Sequence, residues 1–293
     1  MDTSRKKVWS TLRGQPANSI SKGEILITED FMKNFSQPTL EAILSYLNAD
    51  LVTLPIEEQT DKNLWRSWAS RPYFVFGLFQ GPFTLAAIKM GWSALMRSIK
   101  NNPEEVMSVM EILTKETLPL AYQALDQGCD GILVADDLAG NSGLLISPLF
   151  LERYYFPVLN KILCTLNYRQ VPIIFHSDGN ILQLVPYLKE TGFWGIQSLQ
   201  PSSGIKAQCF TPSPHWVYWG NFEFENSHRI KTKEEVVKDV NRLLRDWSGF
   251  SGYIFGSSGG LYQGLCPEGV KAAYQAVDHW SKAKKKLYST SGA

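Results

Sequence analysis

Short runs of apolar residues recur along the chain, separated by segments long enough to form helices. Most of the runs are continuous rather than alternating, which is typical of strands buried on both faces of a parallel sheet. The runs that predict strands are Ile25–Thr28, Leu51–Leu54, Tyr73–Phe79, Gly131–Ala135, Pro172–Phe175, Gly195–Leu199, Trp216–Trp219 and Tyr253–Phe255.

The segments between these runs carry helix start signals. Asn102-Pro103 with two following acids predicts a helix to about Gln127, and Ser147-Pro148 predicts one to about Asn167. Thr232 with Glu235 forms a capping-box pattern, and Pro267-Glu268 opens the last helical segment. Between Leu54 and Tyr73 there is room only for a short helix, around Lys62–Ala69.

Parallel strands that alternate with helices predict an α/β fold, and their number favours a (β/α)8 TIM barrel. A doubly wound sheet with a small second domain is the alternative. No Pro/Ser/Gly-rich tract resembles a domain linker. We therefore expect residues 1–293 to form a single barrel domain with a short N-terminal helical extension.

Composition narrows the functional classes. The 293 residues contain 29 Lys+Arg and 28 Asp+Glu, so a net charge of +1 gives no general attraction to nucleic acid or to an anionic membrane. The basic start lacks the apolar stretch of a secretory signal, and no apolar run is long enough to span a bilayer. The four cysteines form no close pair and are expected to be reduced. A cytoplasmic location is expected.

Acids and amides dominate the residues that follow the predicted strands. In a (β/α)8 barrel, the carboxyl-terminal ends of the strands form the face that carries the active site. His176 and Asp178 are two residues apart at one strand end, so both side chains can reach one metal ion or one proton. Asp136 and Asp137 directly follow an apolar strand, where partial burial favours acid/base chemistry. The structural alternative is that these acids cap helices or turns.

Further polar residues at strand ends are candidates for substrate contact. Among them, Ser258 lies in a Gly-Ser-Ser-Gly-Gly turn of the kind that can cradle phosphate, although a simple tight turn also explains it. Trp219 could line a pocket for a flat ligand or belong to the core. The complete set of expected substrate-binding residues is Gln200, Asn221, Glu223, Trp219 and Ser258.

Several segments, taken in order, resemble the uroporphyrinogen decarboxylase superfamily, and especially its corrinoid-dependent methyltransferase branch. They extend over nearly the whole chain and include FVFGLFQGPF, DQGCDGILVADDLAG, FHSDGNI, IQSLQPSSGI, WGNFE and IFGSSGGLYQGLCPEGV. The resemblance implies a (β/α)8 barrel, in agreement with the strand count. The Arg-rich N-terminal segment of the decarboxylases is missing, which disfavours a porphyrinogen substrate.

The resemblance also implies a zinc site that this chain departs from. Methyltransferases of the branch hold zinc with a His-x-Cys pair and a later Cys. His176 matches, but Asp178 stands at the first Cys position, and the later Cys position falls near Ser258 or Gly259. Asp137, Glu152 and His176 resemble instead the acid–acid–His zinc pattern of O-demethylase methyltransferases.

The leading hypothesis is a methyltransferase that moves a methyl group between a small methylated or methoxylated compound and a corrinoid carried by a partner protein. Asp136, Asp137 and His176 would be catalytic, and His176, Asp178 and Glu152 are the candidate ligands of a zinc ion. A decarboxylase or metal-dependent lyase acting on a small carboxylic acid is the alternative enzyme, and a non-catalytic ligand-binding barrel is the third reading. A homodimer is a further expectation.

Overall fold

The computed structural model describes residues 4–15, 19–56, 63–224 and 232–290, with side chains up to residue 284. Its main sheet contains eight parallel strands in the order β1-β10-β9-β8-β7-β4-β3-β2. The strands of this sheet are β1 (Ser21–Lys22), β2 (Leu51–Pro55), β3 (Phe74–Gln80), β4 (Gly131–Ala135), β7 (Ile173–His176), β8 (Gly195–Ser198), β9 (Val217–Phe222) and β10 (Tyr253–Ser257). Two short strands, β5 (Ala139–Gly140) and β6 (Gly143–Leu144), form a separate antiparallel hairpin.

Helices occupy most of the connections between strands. They are α1 (Ser4–Leu12), α2 (Glu29–Met32), α3 (Leu40–Leu47), α4 (Leu64–Ala69), α5 (Pro82–Met90), α6 (Trp92–Asn101), α7 (Pro103–Asp126), α8 (Pro148–Phe150), α9 (Phe156–Asn167), α10 (Val185–Glu190), α11 (Lys233–Asp246) and α12 (Pro267–Thr290). A π-helix, Leu151–Tyr155, joins α8 to α9. The predicted starts at Pro103, Pro148 and Pro267 are confirmed, and Thr232 and Glu235 make the predicted capping box.

Seven of the predicted strands are present with bounds shifted by a few residues, but the first prediction is wrong. The strand lies at Ser21–Lys22, and within Ile25–Thr28 only Ile27 makes an isolated bridge, to Leu261. Lys22 is fully buried because its ammonium pairs with Asp278 at 2.7 Å and donates to the carbonyls of Leu47 and Tyr274. These partners lie far away in the sequence, so local hydrophobicity could not reveal a buried lysine in a strand.

The chain divides into two compact units. One contains Met1–Thr53, Pro72–Phe74 and Gln197–Ala293, and the other contains Leu54–Arg71 and Val75–Ile196. That the whole chain acts as a single domain stays a prediction. In the described part of the chain, no helix combines the length and the apolar character needed to cross a bilayer.

Each unit has its own core. In the second unit, β4 pairs with β3 on one side and with β7 on the other, and Val75, Leu133 and Phe175 from these strands are fully buried. In the first unit, β10 pairs with β1 and β9, and a cluster of aromatic rings that includes Tyr218, Trp247 and Tyr253 packs beside them. These ladders fix which side chains emerge together where β4 and β7 end, and where β9 and β10 end.

Candidate functional site

Three potential metal ligands meet where β4 and β7 end, in the second unit. Asp137, His176 and Asp178 each offer one ligand atom, and these atoms lie within 4.8 Å of one another. The Nε2 atom of His176 is 3.7 Å from Oδ1 of Asp137. The His176 side chain is 11% exposed and that of Asp137 is 60% exposed, so the cluster is buried on one side and open on the other.

The backbone between β4 and β7 explains why these residues meet. Ala135 is paired with His176 in the ladder, and the amide of Asp136 donates to the carbonyl of His176. The amide of Asp178 donates to Oδ1 of Asp137 at 2.9 Å. Asp137 and Asp178 therefore each lie two residues beyond this pair, and the hydrogen bond between them holds the two loops together.

Ser177 and Gly179 shape the loop that carries Asp178. The buried hydroxyl of Ser177 accepts from the amide of Leu138 and donates to the carbonyl of Asp178. Gly179 has φ +81°, and a Cβ atom there would lie 2.5 Å from the carbonyl oxygen of Ala139. Only glycine fits this position, because a side chain would suffer both the left-handed strain and the clash.

The donor set fits a divalent cation. One imidazole nitrogen and two carboxylate oxygens suit Zn²⁺, Fe²⁺, Mn²⁺ or Co²⁺, whereas the absence of a thiolate from this cluster disfavours soft ions. Asp137, His176 and Asp178 are the residues that would hold the ion.

Asp136, next to Asp137 in the sequence, is fully buried and engaged in a different way. Its carboxylate accepts from the amides of Phe83 and Thr84, from the hydroxyl of Thr84 and from the hydroxyl of Tyr155, at 2.6–3.1 Å. It thereby caps the first turn of α5, whose amides lack partners within the helix. Burial raises the pKa of the Asp136 carboxyl to about 6, and the hydrogen bonds from Thr84, Phe83 and Tyr155 oppose this rise.

Glu152 lies in the π-helix and is exposed. It is not a member of the ligand cluster, in which Asp178 accompanies Asp137 and His176. A metal-binding role for Glu152 stays a prediction.

Two of the expected substrate-binding residues, Trp219 and Asn221, are engaged within the first unit. Trp219 is fully buried, and its indole N–H donates to the carbonyl of Gly23 at 2.9 Å. Asn221 has φ +71°; its amide N–H₂ donates to the carbonyls of Leu199 and Ile205, and its oxygen accepts from the indole of Trp247. Both side chains stabilise the fold here, and their contact with a substrate stays a prediction.

The other three, Gln200, Glu223 and Ser258, also belong to the first unit. Glu223 accepts from the amide and the hydroxyl of Ser202, and Gln200 accepts from the hydroxyl of Ser203. Ser258 is 2% exposed, and its hydroxyl has no hydrogen-bond partner among the described residues. The Ser258 hydroxyl is therefore available to another hydrogen-bond partner.

Comparison with known proteins identifies the family. The sequence profile described as Uroporphyrinogen decarboxylase (URO-D) matches residues 67–280, which is more than half of the chain. The chain belongs to the uroporphyrinogen decarboxylase family. It is 22% identical over 214 residues to the uroporphyrinogen decarboxylase of Trichlorobacter lovleyi and 25% identical over 237 residues to that of Geotalea daltonii. These matches cover 71% and 78% of this chain but only 61% and 66% of the two relatives.

A solved structure gives the fold of this family member. A methyltransferase from Methanosarcina mazei superposes with a TM-score of 0.74, covering 96% of this chain and 99% of that one, at 15% identity. At this identity the likeness shows the fold alone. Together with the parallel strand order, it confirms the predicted (β/α)8 TIM barrel.

Glu24 is a buried acid of this uroporphyrinogen decarboxylase family member that no sequence pattern had singled out. Glu24 is 3% exposed; it accepts from the hydroxyl of Tyr274 at 2.7 Å and from the amide and hydroxyl of Ser257. The hydroxyl of Ser257 in turn accepts from the amide of Gly260. Glu24 therefore stabilises the turn that carries Ser258. Burial raises the pKa of the Glu24 carboxyl from its ordinary value of 4.5 to about 7, against the hydrogen bonds from Ser257 and Tyr274.

Glu24 should make stability depend on pH. Because its pKa is raised, the folded state holds a proton that the unfolded state has lost between pH 4.5 and about 7. The free energy of unfolding should therefore fall as pH rises through this interval, by up to about 3 kcal/mol, and change little above it. Urea unfolding measured across this range should show the fall in the wild type and a shallower slope in E24Q. Equal slopes would contradict the role of Glu24.

Proposed function

We propose that this protein is a methyltransferase that moves a methyl group between a small methylated or methoxylated compound and a corrinoid carried by a separate protein. The observation that carries the proposal is the grouping of Asp137, His176 and Asp178 at the ends of β4 and β7. The structural likeness to a methyltransferase of the same fold supports it.

With a methoxylated substrate, the reaction converts the methoxy group to a hydroxyl group and the Co(I) corrinoid to a methylated corrinoid. The bond between the methyl carbon and oxygen breaks, and its electron pair stays on the oxygen, which takes up a proton. The corrinoid is the second substrate, and its Co(I) supplies the electron pair for the new bond to the methyl carbon. Negative charge therefore develops on the departing oxygen and must be stabilised.

The residues of the cluster have distinct parts in this proposal. Asp137, His176 and Asp178 would hold a divalent cation, which supplies an electrophile for the departing oxygen when it is bound. Asp137 is more exposed than His176 and lies on the open side of the cluster, so it is better placed than His176 to contact a substrate. The hydrogen bond from the amide of Asp178 orients Asp137.

A decarboxylase or metal-dependent lyase acting on a small carboxylic acid is the second candidate. The specific observation that favours it is the match to the URO-D profile and to relatives named uroporphyrinogen decarboxylases. This reading requires no corrinoid. The same cation site would then stabilise negative charge on a carboxylate or on the carbanion left by the loss of CO₂.

The two candidates are separated by a transfer assay. Purified protein loaded with Zn²⁺ or Co²⁺ is mixed with cob(I)alamin and a panel of methoxylated benzoates. We expect loss of the Co(I) absorption band with at least one donor, no loss without a donor, and no loss with H176A. H279A is the matched control, because His279 is exposed on α12. Inactivity with every donor, together with CO₂ release from a small carboxylic acid, would favour the lyase instead.

A further inference from the structure

The helical segment after the β5–β6 hairpin contains one irregular turn, and that turn places a tyrosine beside the site. α8 and α9 are joined by the π-helix Leu151–Tyr155. A π-helical turn takes more residues than an α-helical one, so it rotates the side chains that follow, and such turns are frequent at functional sites. Here Tyr155 is fully buried, and its hydroxyl donates to Oδ2 of Asp136 at 2.9 Å.

Asp136 is held from a second side by the start of α5. Thr84 donates to Oδ1 through both its amide and its hydroxyl, and the amide of Phe83 donates to Oδ2. Gly81 closes the remaining space, because a Cβ atom there would lie 2.3 Å from Oδ2 of Asp136. Two separate elements thus fix the carboxylate of Asp136 in one position.

The backbone of Asp136 connects this fixed carboxylate to the ligand cluster. Asp136 directly precedes Asp137, and its amide donates to the carbonyl of His176 at 2.9 Å. Asp137 in turn accepts from the amide of Asp178. A displacement of Asp136 would therefore alter the separation of the Asp137 and His176 ligand atoms.

We propose that Tyr155 and Thr84 are positioning residues, which act through Asp136 to fix Asp137 and His176 at the spacing that a divalent cation requires. This inference rests on the proposed function, since it takes the cluster to be a metal site. Tyr155 approaches from the π-helix and Thr84 from α5, so the two donors hold Asp136 between separate elements. Neither residue is itself a ligand. Groups that hydrogen-bond directly to metal ligands commonly contribute one to two orders of magnitude to metal affinity, so the lower end of that range is expected for residues that act through Asp136.

The test is a titration of the full-length protein with Co²⁺ alone, followed by the visible spectrum of the bound ion. Y155F removes one hydroxyl and keeps the ring. We expect its Co²⁺ dissociation constant to rise by about 10-fold or more and the spectrum of the bound ion to change. The matched control is Y253F, because Tyr253 is another buried tyrosine. Its hydroxyl donates to the carbonyl of Gly220, and both residues belong to the first unit, whereas the ligand cluster belongs to the second. The Co²⁺ dissociation constant and spectrum of Y253F should equal those of the wild type.

Thermal unfolding accompanies each titration, so that a loss of folding is distinguished from a loss of positioning. Where Y155F does not fold, T84V removes a different hydroxyl from the same carboxylate and should weaken Co²⁺ binding in the same way. A folded variant with wild-type affinity and spectrum would show that the hydroxyl is structural only and would overturn this inference alone. A wild-type protein that binds no Co²⁺ would overturn the metal site, and this inference with it.

Discussion

Substitution of His176 by alanine should weaken Co²⁺ or Zn²⁺ binding by at least about 100-fold and abolish any metal-dependent activity. His176 supplies the single nitrogen donor of the cluster, and the two carboxylates that remain would bind the ion only weakly. Competition against a chromophoric chelator measures the dissociation constant directly.

The control for this substitution is H279A, in which an exposed histidine of α12 is removed. Its metal affinity should be unchanged. Circular dichroism should confirm that H176A is folded, since His176 is largely buried. Unaltered affinity in a folded H176A protein would place the metal elsewhere and contradict both the cluster and the proposed function.

Substitution of Asp136 by alanine should lower the free energy of unfolding by about 2–4 kcal/mol. The amides of Phe83 and Thr84 are fixed in the first turn of α5 and lose their acceptor when the carboxylate is removed. An amide left without an acceptor costs about 1–3 kcal/mol when it is buried, as at Phe83, and less when it is part-buried, as at Thr84. Urea unfolding with an unchanged slope against denaturant concentration would give the loss in stability.

D137A is the matched control, because it removes the neighbouring carboxylate from an open position. Its side chain is 60% exposed, so the free energy of unfolding should change by no more than about 0.5 kcal/mol. Its metal affinity should nevertheless fall sharply. A D136A protein as stable as the wild type, or a D137A protein with full metal affinity, would show that the roles assigned to the two aspartates are wrong.

These two adjacent aspartates show how much of the site could be predicted from the sequence. Both follow the same apolar strand, and both were expected to serve catalysis. The structure buries Asp136 under α5 and directs Asp137 to the ligand cluster. Strand alternation requires that neighbouring side chains point in opposite directions, but which direction leads to the site depends on the elements packed on each face.

The identity of the third candidate ligand, beside His176 and Asp178, likewise depended on tertiary structure. The spacing of His176 and Asp178 predicts that their side chains share one side, and the structure brings their ligand atoms together. The third ligand atom comes from Asp137, because the β4–β7 ladder pairs Ala135 with His176. Glu152 is on an exposed turn of a π-helix that no sequence signal predicted.

The sequence by itself determined seven of the eight strands of the main sheet, the starts of α7 and α12, the capping box of α11, and the family. Continuous apolar runs and cap residues act within a few positions of the chain, so they can be read locally. Tertiary structure alone decided that Lys22 lies in a buried strand, that Glu24 is a buried acid and that Trp219 and Asn221 hydrogen-bond within the fold. The reason is physical: a buried polar group is stable only with its partners, and here many of those partners are distant in the chain.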